Sequence, residues 1–110
     1  MELLTKLEEL VLIAVLKVRD NAYGISIYNF IVDITGKDLT VSSVYFPLER
    51  LVRKGYLRSQ KGEPTPKRGG MSKKYYYITK SGIKALEENR LLSDSAWQGV
   101  AEILKSAGSI

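Results

Sequence analysis

Hydrophobic residues in the first part of the chain recur at the spacing of an amphipathic helix. Thr5 and Glu8 precede and enter this pattern at the spacing of a capping box, in which each side chain binds a backbone amide that the helix leaves unpaired. The periodic apolar residues are Leu7, Leu10, Val11, Ala14 and Val18, with Leu12, Ile13, Val15 and Leu16 beside them. The pattern predicts a largely buried helix that begins after Thr5 and ends at the polar residues 19–21.

Two further helices follow in the same half of the chain. The second is predicted over residues 24–34, where Gly36 provides a left-handed stop. The third begins at the capping residues 40–43, contains Pro47 and ends at Gly55. Their apolar residues at helical spacing are Ile27, Ile31 and Ile34 in the second helix and Val44, Leu48, Leu51 and Val52 in the third.

After Gly55 the pattern changes to that of β-strands. Residues 56–61 and 73–79 are rich in aromatic and β-branched residues, and residues 62–72 between them contain glycine, proline and charged side chains. A β-hairpin with a long basic tip is therefore predicted. Because side chains alternate along a strand, Tyr76 and Ile78 are expected on one face and Tyr75 and Tyr77 on the other.

The last part of the chain returns to a helical pattern. Thr79 can cap a helix that carries Ile83 and Leu86, and a weaker apolar repeat continues towards the C-terminus. Ser93 and Asp94 either cap a separate helix or lie within one long helix, and the pattern leaves both open.

The order of these elements is helix, helix, helix, hairpin, helix. It predicts a mainly α fold with a β-hairpin, a winged helix-turn-helix over residues 1–80, followed by a C-terminal helical dimerisation region over residues 81–110. In this fold class the third helix enters the major groove of DNA, and the hairpin, called the wing, contacts nearby phosphates.

Composition narrows the range of functions. The 110 residues include no Cys and no His, which excludes disulfides, thiolate and imidazole catalysis and the ordinary zinc sites. No pair of carboxylates or lysines is placed convincingly for acid–base work, so we expect neither an enzyme, nor a metal site, nor a cofactor. The longest apolar run, residues 10–16, is too short to span a bilayer and follows acidic residues, which predicts a cytoplasmic protein without membrane contact.

Positive charge is concentrated in one segment. The chain has 17 Lys and Arg against 12 Asp and Glu, and residues 53–80 carry nine of the basic residues against Glu63 alone. Such a concentration favours a polyanionic partner, either nucleic acid or an anionic membrane surface, and double-stranded DNA fits the predicted fold. The alternative is a solvated surface of charged side chains without a partner.

Three motifs in this order resemble the PadR family of transcriptional regulators. The first motif is residues 23–27 (YGISI). In the second motif, the matching residues are Ser43-Val44-Tyr45, Leu48, Arg50-Leu51 and Gly55-Tyr56-Leu57. The third motif is residues 74–79 (KYYYIT), followed by Gly82. The resemblance extends over about residues 7–86 and implies a winged-helix regulator. It further implies a homodimer held by C-terminal helices, in a compact class with a short C-terminal helical region.

Candidate DNA contacts follow from the predicted fold. The first turns of a recognition helix approach bases and phosphates, which selects Ser42, Ser43 and Tyr45, although the serines can equally serve as caps and Tyr45 can pack inside. Arg50 and Arg53 lie on the polar face and either pair with Glu49 or bind phosphate. In the wing, the candidate phosphate contacts are Lys67, Arg68, Lys73 and Lys74.

The C-terminal region supplies the candidate dimer interface. Its apolar residues are Leu92, Ala96, Trp97, Val100, Ile103 and Leu104. Trp97, the only tryptophan, either packs in this interface or stacks a small planar apolar ligand there, as the resemblance to short family members that sense aromatic compounds implies.

Together these observations predict a dimeric, sequence-specific DNA-binding regulator, a repressor relieved by a small aromatic ligand at the dimer interface. The alternative is a winged-helix module that binds another protein and no specific DNA, with its cations facing an acidic surface. Sequence-specific DNA binding separates the two.

Overall fold

A computed structural model describes residues 3–62 and 73–108 of the chain. The predicted order of elements is confirmed. The helices are α1 (Lys6–Val18), α2 (Gly24–Thr35), α3 (Val41–Arg53), α4 (Lys80–Trp97) and α5 (Val100–Gly108), and the strands are β1 (Leu57–Lys61) and β2 (Lys74–Ile78). A single 3₁₀ turn, Arg19–Asn21, connects α1 to α2. The fold is mainly helical with one antiparallel hairpin, as the sequence predicted.

Side-chain caps set the start of α1 as predicted. The Glu8 amide donates to the Thr5 hydroxyl at 3.0 Å, and the Thr5 amide donates to the Glu8 carboxylate at 2.8 Å. This capping box satisfies an amide of the first turn and the amide of the capping residue itself.

The end of α2 is also as predicted. Gly36 has a φ of 64°, in the left-handed region, and its amide donates to the Val32 carbonyl at 2.8 Å. Glycine adopts this conformation without the clash that a side chain would introduce. The chain therefore leaves α2 sharply and reaches the start of α3 within a few residues.

The third helix is capped by Thr40 and continues through Pro47. The Thr40 hydroxyl accepts from the Ser43 amide at 3.2 Å, and the ring of Pro47 is buried among the core residues of the helix. Proline removes one backbone hydrogen bond, but its ring packs on the same side as Val44, Leu48 and Leu51. Packing of this face against the core keeps α3 continuous through Pro47.

The hairpin pairs the two strands in the register Leu57–Ile78, Ser59–Tyr76 and Lys61–Lys74. Tyr76 is buried, at 2% exposure, and its amide donates to the Ala22 carbonyl at 2.8 Å. Tyr23 also forms an isolated bridge with Tyr75. The base of the wing is thus attached to the chain just before α2, a contact that the sequence pattern did not reveal.

The C-terminal region contains two helices with a break at Gln98 and Gly99. Ser93 and Asp94 lie within α4, so the break occurs later than the capping residues would have placed it. Gly99 has a φ of 80°, which again suits glycine. None of the described helices is long and apolar enough to cross a membrane.

A single hydrophobic core lies between α1, α2, α3 and the hairpin. Each of these elements contributes side chains that are almost completely buried: Val11, Leu12, Ala14, Val15, Ala22, Ile27, Ile31, Val44, Leu48, Leu51, Leu57 and Tyr76. We call this part, up to and including the first turns of α4, the winged-helix body. The molecule is elongated, with extents of 60 × 30 × 20 Å, because α4 and α5 contribute no side chain to the buried set.

The start of α4 is fixed to the body by a close approach at Gly82. A methyl group at this position would overlap the Tyr56 carbonyl oxygen and lie 2.8 Å from Cγ1 of Ile78. The Thr79 hydroxyl caps α4 by accepting from the Gly82 amide at 3.0 Å, and it donates to the Gly55 carbonyl at 2.6 Å. The direction in which α4 leaves the body is therefore set by the turn after α3.

Candidate nucleic-acid interface

One face of α3 is exposed and forms the centre of the candidate interface. Thr40 caps the helix, and its buried face packs into the core through Val44, Pro47, Leu48 and Leu51. The exposed residues of the helix are Ser42, Tyr45, Phe46, Glu49 and Arg53. Their spacing places them along one side of the helix, as a recognition helix requires.

The two candidate serines differ in what their hydroxyl groups do. Ser43 is half-buried, and its hydroxyl donates to the Thr40 carbonyl at 2.6 Å. Ser42 is exposed on the outer face of α3. The structure therefore commits Ser43 to the start of the helix and leaves Ser42 turned outward.

Tyr45 lies at the edge of a cleft between α2, α3 and the wing. A side chain at Gly24 would overlap the Tyr45 ring and hydroxyl, so the absence of one allows this approach. The cleft has a volume of about 330 Å³ and is lined by Tyr23, Gly24, Ile25, Tyr45, Glu49, Lys73, Lys74 and Tyr76. Tyr45 is 41% exposed, so it takes part in packing and still reaches the surface.

Two of the described cations of the wing, Lys73 and Lys74, line the same cleft as Tyr45 and Glu49 of α3. Lys73 Nζ is 4.0 Å from the centroid of the Tyr23 ring, a cation–π contact, and Lys74 Nζ is 3.7 Å from Glu49 Oε1. Both partners of the second pair are half exposed, so the pair is weak and can exchange for a phosphate. The candidates Lys67 and Arg68 lie outside the described residues.

A buried carboxylate determines where Arg50 points. Glu8 is 1% exposed, and its Oε2 lies 2.9 Å from Lys54 Nζ and 3.4 Å from Arg50 Nε. Burial raises the pKa of Glu8, but the Thr5 amide and the two cations outweigh it, so that its pKa is lowered overall. Arg50 was expected to pair with Glu49 or to bind phosphate. The structure pairs it instead with Glu8 of α1, and phosphate binding by Arg50 stays a prediction. Arg53 is exposed.

Sequence reasoning missed the Glu8 ion pairs because they join positions more than forty residues apart. The capping motif accounted for Glu8 fully, and nothing in the pattern indicated that its second oxygen reaches α3. The one indication in the sequence that Glu8 is buried is its position, which falls on the apolar side of the predicted helix.

Burial and nearby charge also affect Tyr76, which forms the floor of the cleft. Burial raises its pKa to about 12, and the negative charge of Glu49 acts in the same direction. Tyr76 is therefore a neutral phenol near neutral pH.

Five of the six candidate dimer residues are exposed in the single chain. Trp97 is 60% exposed, Ile103 66% and Leu104 55%, and Leu92 is 47% exposed on the same C-terminal region. Ala96 is also exposed, and Val100 is half-buried. No residue of α5 is buried. These side chains form a surface that the chain itself does not cover.

A second cleft lies between α1 and α4, where sequence reasoning placed no site. Its volume is about 390 Å³, and it is lined by Glu9, Ile13, Leu86, Glu87, Arg90 and Leu91. Asn89 Nδ2 donates to Glu9 Oε2 at 2.6 Å and holds the two helices together.

Trp97 lines neither of the two clefts described. Within the described residues, no group of acidic side chains is placed to hold a metal ion.

Three packed helices, an exposed third helix and a hairpin beside it define a winged helix-turn-helix, a class of DNA-binding domain. The model of the PadR-like transcriptional regulator family matches residues 12–88. The match covers more than half of the chain, and the chain belongs to this family.

Solved structures agree with this assignment. A protein of Streptococcus mutans UA159, smu.1704, is 28% identical, with a TM-score of 0.71 over 90% of this chain and 86% of that one. A PadR family transcriptional regulator of Eggerthella lenta is 26% identical, with a TM-score of 0.68 over 86% of this chain and 80% of that one. A PadR family regulator of Clostridium difficile shares the fold at 20% identity, with a TM-score of 0.65 over 93% and 97%. No curated protein matched.

The family assignment confirms the resemblance and the fold inferred from the sequence. The protein is a DNA-binding transcriptional regulator of the PadR-like family.

Proposed function

We propose that the protein is a homodimeric, sequence-specific repressor without catalytic activity, in which residues 1–80 bind DNA and residues 81–110 form the dimer. The observation that carries the proposal is the exposed face of α3 next to the wing cations Lys73 and Lys74. A helix can enter the major groove while cations at its side neutralise phosphates. The proposed partner is double-stranded DNA, and the proposed place of action is the cytoplasm.

Within this interface the residues take different parts. The exposed groups that would face the groove belong to Ser42, Tyr45 and Arg53. The Ser43 hydroxyl already donates to the Thr40 carbonyl, and Arg50 Nε already pairs with Glu8, so these two residues would bind DNA only through their remaining polar atoms. Together with Lys73 and Lys74, the wing residues Lys67 and Arg68 complete the proposed set of phosphate contacts. Each phosphate contact releases condensed counterions, so affinity falls as salt rises.

The proposed dimer rests on the apolar surface of α4 and α5. Leu92, Ala96, Trp97, Val100, Ile103 and Leu104 would be covered by the same residues of a second copy, since a two-fold interface brings one patch against itself. Such a dimer presents two recognition helices to successive turns of the duplex, about 34 Å apart. The operator is then an inverted repeat.

Repression would be relieved by a small planar apolar ligand at the dimer interface. Two Trp97 rings across a two-fold axis can stack such a molecule, and the ligand would shift the population of dimers towards a spacing of recognition helices that does not fit the operator. Titration of planar aromatic compounds should quench Trp97 fluorescence and release DNA. Unchanged fluorescence across a broad panel would contradict this part of the proposal.

The experiment that tests the function is selection of bound duplexes from a random pool, followed by affinity measurements over a range of salt concentrations. We expect an inverted repeat and a steep salt dependence. The variant with Lys73→Gln and Lys74→Gln should lose about 0.9 from the log–log salt slope for each phosphate contact removed. Replacing Lys17 and Lys84 by Gln changes the net charge equally on exposed residues of α1 and α4, neither of which belongs to α3 or the wing, and should leave the slope almost unchanged.

Failure to recover any motif, together with no binding at low salt, would overturn the proposal. A winged-helix module for protein interaction would then be the function to pursue, with an acidic partner at the same cations.

A further inference from the structure

Phe46 is an exposed side chain on α3 that lies outside the hydrophobic core of the described residues. Among the large hydrophobic side chains that the structure describes, it is the most exposed, at 68%. It is absent from the partly buried residues that pack against the core, whereas its neighbours Pro47 and Leu48 are buried. A phenyl ring that is about two-thirds exposed in the middle of α3 is therefore not explained by packing against the described core.

The position of Phe46 on α3 is that of a residue that faces bases. Ser42, Phe46, Glu49 and Arg53 recur at intervals of four, three and four residues, which aligns them in one stripe along the exposed face. Tyr45 lies about 100° further round the helix, with its ring against Gly24 at the cleft. Phe46, rather than Tyr45, is thus the aromatic residue on the line of the stripe.

The chemistry of the stripe indicates what Phe46 meets. The face around it carries Arg53, and Lys73 and Lys74 lie beside α3, which suits a polyanion rather than an apolar protein surface. On the edges of bases in the major groove, the apolar group is the C5-methyl of thymine, and phenylalanine is one of the side chains that contacts it. The phosphates and the hydrogen-bonding groups of the other base edges are polar and suit a phenyl ring less well than the thymine methyl does.

We propose that Phe46 is a specificity-determining residue that contacts the C5-methyl group of one thymine in each half-site of the operator. This inference rests on the proposed function and deepens it, because it names the base that one side chain of α3 reads. Contact between the phenyl ring and the methyl group removes both from water. A base without that methyl group at the same position would leave part of the ring exposed to water.

The test uses the full-length protein and the operator recovered by selection. Each thymine of the half-site is replaced in turn by deoxyuridine, which differs only by lacking the methyl group, and affinities are measured for the wild type, Phe46→Ala and Phe46→Leu. At one position we expect the wild type to lose about fourfold in affinity per half-site, the value for one buried methyl group. Phe46→Ala should bind thymine and deoxyuridine almost equally there, and Phe46→Leu should keep part of the difference.

A matched control separates this contact from a general effect of losing an exposed apolar side chain. Ile34 is 61% exposed near the end of α2, and Ile34→Ala should keep the full preference for thymine. Because Phe46 is exposed, Phe46→Ala should unfold at the wild-type temperature, which a thermal melt checks.

The outcomes distinguish this inference from the proposed function. If an operator is recovered but the wild type and Phe46→Ala lose the same affinity on every replacement, the role of Phe46 is overturned while the regulator stands. An operator whose half-site lacks a thymine that responds to methyl removal overturns it as well. If no operator is recovered, the proposed function fails and the inference fails with it.

Discussion

The winged-helix body and the C-terminal helices differ in where their apolar side chains lie. In the body, Leu12, Ile27 and Leu48 are completely buried by contacts within one chain. In α5 no residue is buried, and in α4 the only buried residue is Gly82. Both regions carry apolar residues at helical spacing, although the repeat is weaker in the C-terminal helices. Spacing alone does not tell whether an apolar face is covered by the same chain or by a second copy.

This difference separates two kinds of stability. The body gains its free energy of folding from burial inside the chain and should not depend on protein concentration. The C-terminal helices expose Trp97 and Ile103, and under the proposed function their burial depends on the second copy. Changes in the two regions should therefore have different consequences.

The largest effect is expected at the point where the two regions join. Gly82→Ala places a methyl group against the Tyr56 carbonyl oxygen, and neither backbone can move without disturbing the start of α4. We expect a loss of about 3–5 kcal/mol in the free energy of unfolding, or failure to fold. Urea denaturation measures it. Gly108→Ala, at a position with open space around it, is the control and should have almost no effect.

A core truncation in the body should come next. Leu48→Ala removes a completely buried side chain from α3 and should cost about 2–5 kcal/mol in the free energy of unfolding. The cost should be the same at low and high protein concentration, as measured by urea denaturation. A marked dependence on concentration would show that the body is not stabilised by its own core.

In the C-terminal region, a charge should affect association rather than folding. Ile103→Glu places a carboxylate in the proposed interface of each copy, where burial and like-charge repulsion oppose pairing. We expect dimer dissociation to increase by about 100-fold or more, corresponding to about 3 kcal/mol, with the helical circular dichroism of the body retained. Sedimentation equilibrium measures the association. Wild-type protein that is already monomeric at high concentration would refute the proposed dimer.

The smallest effect concerns the ion pairs between α1 and α3. Because the folded-state pKa of Glu8 lies below its ordinary value of 4.5, its charged form stabilises the fold above about pH 4.5, and this contribution is lost as pH falls through the folded-state pKa. Glu8→Gln should cost about 1–3 kcal/mol at about pH 7 and much less at a pH below the folded-state pKa of Glu8.

Urea denaturation at the two pH values checks the Glu8 prediction. Glu49→Gln is the matched control, because Glu49 is half exposed and its pair with Lys74 is worth less than about 1 kcal/mol. An equal cost of Glu8→Gln at both pH values would mean that the charge of Glu8 does not contribute to stability.

Local signals account for the parts of the structure that the sequence predicted well. Thr5 and Glu8 cap α1, Gly36 ends α2, and Tyr76 faces the core because side chains alternate in a strand. Each of these depends on residues within one turn or one strand. For that reason the element order, the winged-helix class and the position of the recognition helix followed from the sequence.

The contacts that shape the candidate site have a different origin. The Tyr45 ring lies over Gly24, Arg50 turns to Glu8, and Tyr23 bridges to Tyr75. These partners are far apart in the chain, and each depends on how helices and hairpin pack. A list of polar residues on one predicted helix therefore could not separate Ser42 from Ser43, or Arg53 from Arg50.

By itself the sequence determined the helices, the hairpin, the concentration of positive charge around the wing and the family, because periodicity, caps and motifs are properties of neighbouring residues. Only the tertiary structure decided which side chains of α3 remain exposed, among them Phe46, and which helices leave apolar surface uncovered. Exposure depends on what packs from a distance, and the residues that cover the core of the body come from every element except α5.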